Sequence, residues 1–230
     1  MTTPHLKSRT LEPLNDSVPF GERAYQALLR AIVSGRLQLG APLPLESIAS
    51  QFEISVTPVR EALNRLEKDG VVLKVPYQGW QVRSFNDQEI RDLYEARIGL
   101  ERFAVRLACA RITAEEISWL EQHQLKGEGD LRSGDMDSYW AYNRDLHGAI
   151  LRAAKNQELS SLMATLSLKI QMLTAATIRV AGRPSRAVRE HRELIELVSA
   201  HRAADAEELI ERHLSSALED ILRARLQPTE

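Results

Sequence analysis

The chain of 230 residues is 43% hydrophobic and 27% charged, with a formal net charge of −2. This composition excludes wholesale disorder and a collagen-like fibre, and the length allows two modest domains with hydrophobic cores of their own. The sequence has no run of roughly 20 apolar residues and no signal-peptide core, and its single cysteine, Cys109, cannot form an internal disulfide, so we predict a cytoplasmic protein with no membrane partner.

The N-terminal region begins with a polar segment that contains two prolines. Residues 1–18 are predicted to form a flexible arm. An amphipathic helix is predicted over residues 21–34, followed by an irregular link over residues 35–44. We place the domain joint at Ser84-Phe85, so that the first folded domain spans residues 19–84.

Residues 45–83 carry the strongest functional pattern of the chain. A short helix over Leu45–Phe52 leads through a tight turn into a second helix over Thr57–Asp69. Gly70 ends that helix, and two short apolar runs separated by a proline-glycine turn follow it. The order of helix, turn, helix and β-hairpin is that of a winged helix-turn-helix, which binds double-stranded DNA.

The second of these helices is the predicted DNA-reading element. Its apolar residues recur at helical spacing and form one buried stripe, so the opposite side faces solvent. Arg60 lies one turn into the helix, where a guanidinium reaches a guanine edge or a phosphate, and Ser55 or Thr57 is predicted to cap it. An ordinary amphipathic helix with a solvated charged face is the alternative. The predicted DNA-contacting residues are Ser55, Val56, Thr57, Arg60, Asn64, Gln78 and Gly79.

Charge supports DNA binding only weakly. Residues 1–85 hold ten basic and eight acidic side chains, whereas residues 86–230 hold 20 basic and 24 acidic ones. A basic N-terminal unit on an acidic body has the sign expected of a DNA-binding protein, but the difference is small. The prediction therefore rests on the pattern of elements.

Everything beyond residue 85 reads as helical. Capping-box patterns begin helices at Asn86 and Thr113, and the polar, glycine-containing stretch Lys126–Gly134 is predicted to be a loop. Four more helices are predicted at about Asp137–Ala154, Glu158–Val180, Ser185–His201 and Asp205–Leu226. The predicted fold class is mainly α, with an N-terminal winged helix-turn-helix and an antiparallel all-helical bundle over residues 85–226.

Three histidines indicate a metal site. His191 and His213 each lie 11 residues from the turn at Arg202, which is roughly 16 Å of helix, so they share one level of a helical hairpin. His147 lies on an earlier helix, with Asn143 one turn before it. Imidazoles from three helices bind a divalent metal when they converge, with the Asn143 oxygen and water completing the shell. Three unrelated histidines are the alternative.

Segment 36–83 resembles the N-terminal domain of GntR-family regulators. The family usually has an arginine after the serine of its common run, and Val56 stands there in this chain. In the family that arginine and the equivalent of Arg60 commonly contact operator bases, so the resemblance implies operator binding with an altered operator sequence. The matching residues are Ser55–Leu63 apart from Val56, Arg65-Leu66, Gly70-Val71-Val72, Pro76 and Gly79.

Residues 86–222 resemble the FCD ligand-binding domain of the FadR subgroup of the same family. In its metal-containing members, an Asp or Asn four residues before the first histidine and three histidines are ligands, which implies Asn143, His147, His191 and His213 here. The resemblance also implies a small carboxylic-acid effector beside the metal. The matching residues are Tyr94–Arg97, Leu100-Glu101, Asn143–His147 with Asn156, Glu190–Arg192 and Arg212–Leu214.

The resemblance also gives Arg97 a role, because an arginine on the first helix of this domain often holds the effector carboxylate. A guanidinium suits a carboxylate through two parallel hydrogen bonds. The alternative is a structural ion pair between Arg97 and Glu101.

These patterns together predict a transcriptional regulator that is not an enzyme and that is, as in most such families, a repressor. It is expected to bind operator DNA as a homodimer under the control of a small carboxylic acid bound in the metal-containing helical domain. Zinc is the expected metal, with nickel or manganese as alternatives. A metal-dependent hydrolase using the same histidines is the alternative function, although no motif places a general base for it. A purely structural metal is a third possibility.

Overall fold

The computed structural model describes residues 18–177 and 182–225, and its contacts divide the chain into two compact units, with the boundary along the sequence after Phe85. The fold class predicted from the sequence, a mainly helical protein with a small β wing, is confirmed. Residues 1–17 of the predicted arm, and the predicted helix ends at Val180 and Leu226, lie outside the described residues. Among the described helices, none combines the length and apolar character that a membrane crossing requires.

The first unit is a three-helix cluster with a three-stranded antiparallel sheet of order β1-β3-β2. One expectation for it was wrong: the predicted irregular link contains strand β1, which pairs with the far edge of the wing. A strand of two residues is too short to show alternation in a sequence. The elements are α1 (Phe20–Val33), β1 (Pro42–Leu43), α2 (Leu45–Phe52), α3 (Val56–Lys68), β2 (Val72–Val75) and β3 (Gly79–Val82).

Helix α3 is fixed to the rest of its unit by one apolar face and by two polar contacts. Leu63 and Leu66 are fully buried on that face. On its outer side, the Arg65 guanidinium donates to Glu22 at 2.5 Å and lies 4.1 Å from the ring centroid of Tyr25. The Tyr25 hydroxyl donates to Asp69 at 2.7 Å, and partial burial together with this hydrogen bond raises the pKa of Tyr25 to about 12. The opposite face of α3 is left open to solvent.

The second unit is a bundle in which α4 packs along α9, α5 packs against α6 and α8, and α7 lies against α4 and α9. Both predicted capping boxes are present: Asn86 with Glu89, and Thr113 with Glu116, exchange side-chain and backbone hydrogen bonds. The helices are α4 (Asp87–Arg111), α5 (Ala114–Ser133), α6 (Met136–Ala153), α7 (Gln157–Thr177), α8 (Arg183–Ser199) and α9 (Ala203–Arg225).

The loop predicted over Lys126–Gly134 is wrong, because α5 continues through it to Ser133. The buried Gly127 permits close packing: a Cβ at this position would lie 2.3 Å from the Tyr142 ring on α6. The helix ends instead at Gly134, which has a left-handed φ of 78°. Glycine inside this helix therefore marks a close approach of two helices and does not mark a helix end.

We expect alanine at Gly127 and at Gly129 to have opposite effects. Both positions lie inside α5, where alanine in place of glycine contributes about 1 kcal/mol through helix propensity. A Cβ at Gly129 meets no atom within 4 Å, whereas one at Gly127 meets the Tyr142 ring. Gly129→Ala is expected to raise the midpoint of urea unfolding and Gly127→Ala to lower it. Equal stabilisation by both would contradict the close packing.

Candidate DNA-binding surface and metal centre

The N-terminus of α3 faces solvent with its first amides uncapped. Ser55 is the N-cap residue, but no side chain caps the helix, so the prediction that Ser55 or Thr57 would cap it was wrong. Both hydroxyls are exposed, and Val56 between them is half-buried. The first N–H groups of a helix that lack a capping side chain, together with the helix dipole, favour a phosphate at this end.

The exposed face of α3 presents one free arginine. Arg60 and Asn64 are both exposed, and in the described part of the chain the Arg60 guanidinium makes no hydrogen bond or ion pair. Arg65, one turn further on, is held by Glu22. The two arginines of α3 therefore differ, because one is available to a ligand and the other contributes to the fold.

The turn between β2 and β3 forms the tip of the wing. Gln78 and Gly79, two predicted DNA contacts, are exposed there, and Gly79 has a φ of 85°. The sequence did not predict the conformation of Tyr77 at this tip, where the side chain is fully exposed and φ is 64°. A left-handed φ is uncommon for tyrosine, and the Pro-x-x-Gly spacing gave no sign that this residue would occupy it.

In the second unit, the three histidines singled out from the sequence lie together. One ring nitrogen from each of His147, His191 and His213 falls within 4.8 Å of the other two. The Nε2 atoms of His191 and His213 are 3.3 Å apart. Helices α6, α8 and α9 each supply one of these imidazoles, and His191 and His213 face each other as the helical-hairpin argument predicts.

The opposite nitrogen of each imidazole is held by an outer partner. The Nδ1 atom of His147 lies 2.6 Å from a Glu101 oxygen, and that of His213 lies 2.6 Å from a Glu190 oxygen. The Nδ1 atom of His191 lies 3.1 Å from the Tyr142 hydroxyl. An ionised carboxylate accepts only, so Nδ1 of His147 and of His213 carries the proton. Nε2 is then left as the metal-facing atom, an arrangement typical of histidine ligands.

Two of the three imidazoles, His191 and His213, fit a divalent metal on their geometry and on their protonation. Zinc–nitrogen bonds of about 2.0–2.1 Å in a tetrahedron place two ligand nitrogens about 3.3–3.4 Å apart, which is the separation found between His191 and His213. Burial, followed by neighbouring positive charge, holds the pKa values of both imidazoles well below their usual range. They are therefore neutral at physiological pH, as metal ligation requires.

Beside the cluster, a buried ion pair joins α4 to His147. The Arg97 Nε donates to Glu101 at 2.6 Å, and Glu101 accepts from His147 through its other oxygen. Burial alone would raise the pKa of Glu101, but Arg97 and His147 outweigh it and lower that pKa strongly. The structural pair between Arg97 and Glu101, left open by the sequence, is therefore present. A further Arg97 bond goes to Tyr94 at 3.4 Å, so three of the five guanidinium N–H groups remain.

The Arg97 side chain borders a cavity of about 240 Å³ between α4, α6 and α7. Arg97, Asn143 and His147 form its polar end, and all three also line a neighbouring hollow of about 20 Å³ that reaches His213. The Asn143 amide makes no hydrogen bond in the described part of the chain, so its oxygen is available to a ligand. The remaining lining residues of the larger cavity are Glu101, Trp140, Arg144, Gly148, Leu151, Ser160, Met163, Ala164, Ser167, Ile170, Gln171 and Thr174.

Two residues outside the predicted metal site also contact the histidine cluster or its partners. Tyr142 contacts His191, and the buried Gln124 contacts Tyr142. Their spacing from His191 along the chain follows no periodicity, because α5, α6 and α8 meet only in the folded bundle. The signals available beforehand were a polar side chain on a helix and an aromatic residue near His147, neither of which is specific.

Comparison with known proteins places this chain among transcriptional regulators. Residues 20–82 match the family described as bacterial regulatory proteins, gntR family, and residues 92–216 match the FCD domain. The HTH-type transcriptional regulator BphR of Paraburkholderia xenovorans is 31% identical over 206 residues, which cover 86% of this chain and 83% of that protein.

Two further relatives agree with these matches. The "Probable D-xylose utilization operon transcriptional repressor" of Paenarthrobacter nicotinovorans is 30% identical over 195 residues, which cover 83% of this chain and 84% of that protein. Among solved structures, E. coli McbR/YncC has the same fold, with a TM-score of 0.76 and 21% identity over 90% of this chain and 98% of that one.

Proposed function

This chain belongs to the gntR family of bacterial regulatory proteins, with an FCD domain as its second unit, and we propose that it is a metal-containing repressor released from its operator by a carboxylic acid. That it is a DNA-binding transcriptional regulator and not an enzyme follows from the family. The proposal concerns the direction of control, the metal and the effector. Two relatives named as repressors support the direction: the D-xylose operon protein and E. coli RspR, which is 21% identical over 217 residues.

The observation that carries the proposal is a cavity whose polar end holds a basic side chain and two of the predicted metal ligands, Asn143 and His147. Arg97 and His147 line this end, so a carboxylate there would contact a guanidinium and lie beside the metal. We propose Asn143, His147, His191 and His213 as the ligand set. Neutral imidazoles favour zinc or nickel over manganese, which prefers oxygen ligands.

The lining and the volume of the cavity indicate which class of effector it can hold. Beyond its polar end, the walls are mostly apolar, from side chains such as Leu151, Met163 and Ile170, with hydroxyl groups and the polar side chains of Arg144 and Gln171 among them. An apolar cavity of about 150 Å³ is enough to hold benzene, and this one has about 240 Å³. We therefore propose a carboxylic acid with an apolar substituent about the size of a phenyl ring. A small dicarboxylate would leave its second charge against mostly apolar walls, because Arg144 in the lining is already paired with Asp145.

The hydrolase alternative is not supported by the surroundings of the histidines. A zinc hydrolase needs a free general base beside the metal-bound water. Glu190 already accepts from His213 and lies 3.5 Å from Arg183, and Asp145 is paired with Arg144. Neither carboxylate is available for that role.

The test is a pair of measurements on the full chain with added zinc. Phenylacetate is expected to release the protein from the DNA upstream of its own gene in an electrophoretic shift assay. At a concentration 100-fold above Kd it would stabilise the fold by about 2.7 kcal/mol, or roughly 5 °C or more in melting temperature. Succinate serves as the comparison ligand.

Arg97→Lys is expected to abolish the phenylacetate response while keeping a cation against Glu101. The matched control is Arg91→Lys, an exposed position on the same helix. A response to succinate alone would contradict the apolar part of the proposal, and a response unchanged by a strong chelator would contradict the role of the metal. If no carboxylic acid changes operator binding, the effector assignment is wrong.

A further inference from the structure

Helix α5 adds a layer to the histidine cluster that the proposed function does not use. Gln124 and Tyr142 are buried, and they connect His191 to the backbone of α8. We propose that Gln124, acting through Tyr142, sets the tautomer of His191 and so presents a bare Nε2 to the metal. Gln124 is thus a positioning residue, and the inference rests on the metal site proposed above.

The orientation of the Gln124 amide is fixed by two acceptors. Its nitrogen donates to the Val188 carbonyl at 2.8 Å and to a Glu128 carboxylate oxygen at 2.8 Å. Carbonyl and carboxylate oxygens accept only, so the amide nitrogen has to face them. The amide oxygen of Gln124 is therefore the group that faces Tyr142.

This orientation fixes the Tyr142 hydroxyl in turn. A phenol has one proton, and the Tyr142 hydroxyl donates it to the Gln124 amide oxygen. The phenol oxygen is then an acceptor towards His191, 3.1 Å from Nδ1. His191 consequently carries its proton on Nδ1. His147 and His213 need no such intermediate groups, because the Nδ1 atom of each faces a carboxylate directly.

This chain of hydrogen bonds from Gln124 through Tyr142 to His191, here called the relay, leaves the centre of the cluster with lone pairs that a cation would stabilise. With protons on Nδ1, the bare Nε2 atoms of His191 and His213 face each other at 3.3 Å, and two lone pairs at this distance repel unless a cation lies between them. Without Gln124, the Tyr142 hydroxyl donates to Nδ1 of His191, and the imidazole proton moves to Nε2. That proton would form a hydrogen bond to His213 and occupy the metal position.

The Tyr142 ring is itself held in place by α5. Its atoms lie where a Cβ of Gly127 would be, one turn after Gln124. The ring also makes edge contact with His191, with centroids 5.7 Å apart. The hydroxyl is thus held between the amide and the imidazole by close packing as well as by hydrogen bonds.

The test compares Gln124→Met with Gln122→Met, a matched change at an exposed position of the same helix. Nitrogen-15 NMR of the metal-free protein is expected to find His191 as the Nδ1–H tautomer in the wild type and in Gln122→Met, and as the Nε2–H tautomer in Gln124→Met. Zinc affinity, measured by competition with a chelator, is expected to fall about 10- to 100-fold in Gln124→Met only.

Tyr142→Phe removes the acceptor of the His191 proton and is expected to change the tautomer in the same direction. An unchanged Nδ1–H tautomer in both Gln124→Met and Tyr142→Phe overturns the inference, as does a loss of zinc affinity without a tautomer change. If the wild type binds no zinc, the proposed metal site is wrong, while the tautomer comparison still tests the relay.

Discussion

Replacing Glu101 by leucine is expected to lower the free energy of unfolding by about 3–5 kcal/mol, the usual cost of removing one partner of a buried charge pair. Arg97 is 4% exposed and would keep its charge in the bundle without the carboxylate that it contacts at 2.6 Å. His147 would also lose the acceptor of its Nδ1 proton.

Urea unfolding of the full chain in excess chelator measures this effect without a contribution from metal binding. Glu95→Leu, an exposed position on the same helix, is the matched control and is expected to stay within about 0.5 kcal/mol of the wild type. If Glu101→Leu does not fold, Glu101→Gln provides the milder change.

The double variant Arg97→Leu/Glu101→Leu distinguishes the loss of the whole ion pair from the loss of one partner only. Removing both charges leaves neither of them unpaired in the bundle, so stability is expected to recover most of the loss. Metal affinity is not expected to recover, because His147 still lacks its carboxylate partner. A double variant as unstable as Glu101→Leu would contradict this account, and so would a single variant within 1 kcal/mol of the wild type.

The parts of the fold that could be predicted are those with a local cause. The apolar stripe of α3, including Leu63 and Leu66, recurs at helical spacing, and the capping boxes at Asn86 and Thr113 act over three residues. The position of His191 and His213 at the same height in their helical hairpin followed from their equal distance, in residues, from the turn between the two helices. In each of these cases, the positions along one or two helices determine the geometry.

The parts that were missed depend on contacts between distant segments. Gly127 reads as a helix breaker until the Tyr142 ring is known to lie against it. Strand β1 exists because β3 offers it an edge. The Arg97 side chain can serve two roles, since its Nε donates to Glu101 while the residue also lines the cavity. No pattern along the chain distinguishes these cases from their alternatives.

Replacing Arg60 by alanine is expected to weaken operator binding about 10- to 100-fold, which corresponds to the loss of one good base contact of about 1–3 kcal/mol. The Arg60 guanidinium is exposed and makes no hydrogen bond or ion pair in the described residues. The fold is therefore not expected to change, and the melting temperature should stay within about 2 °C of the wild type.

Lys68→Ala is the matched control, because Lys68 is exposed on the same helix, two turns further from the N-terminus, and carries the same charge. Titrations with operator and with unrelated DNA at several salt concentrations separate the two kinds of contact. A base contact at Arg60 predicts a loss confined to the operator, whereas a phosphate contact predicts an equal loss on both DNAs and a salt slope reduced by about one. An operator affinity unchanged by Arg60→Ala, or reduced equally by Lys68→Ala, would show that this face of α3 does not read the bases.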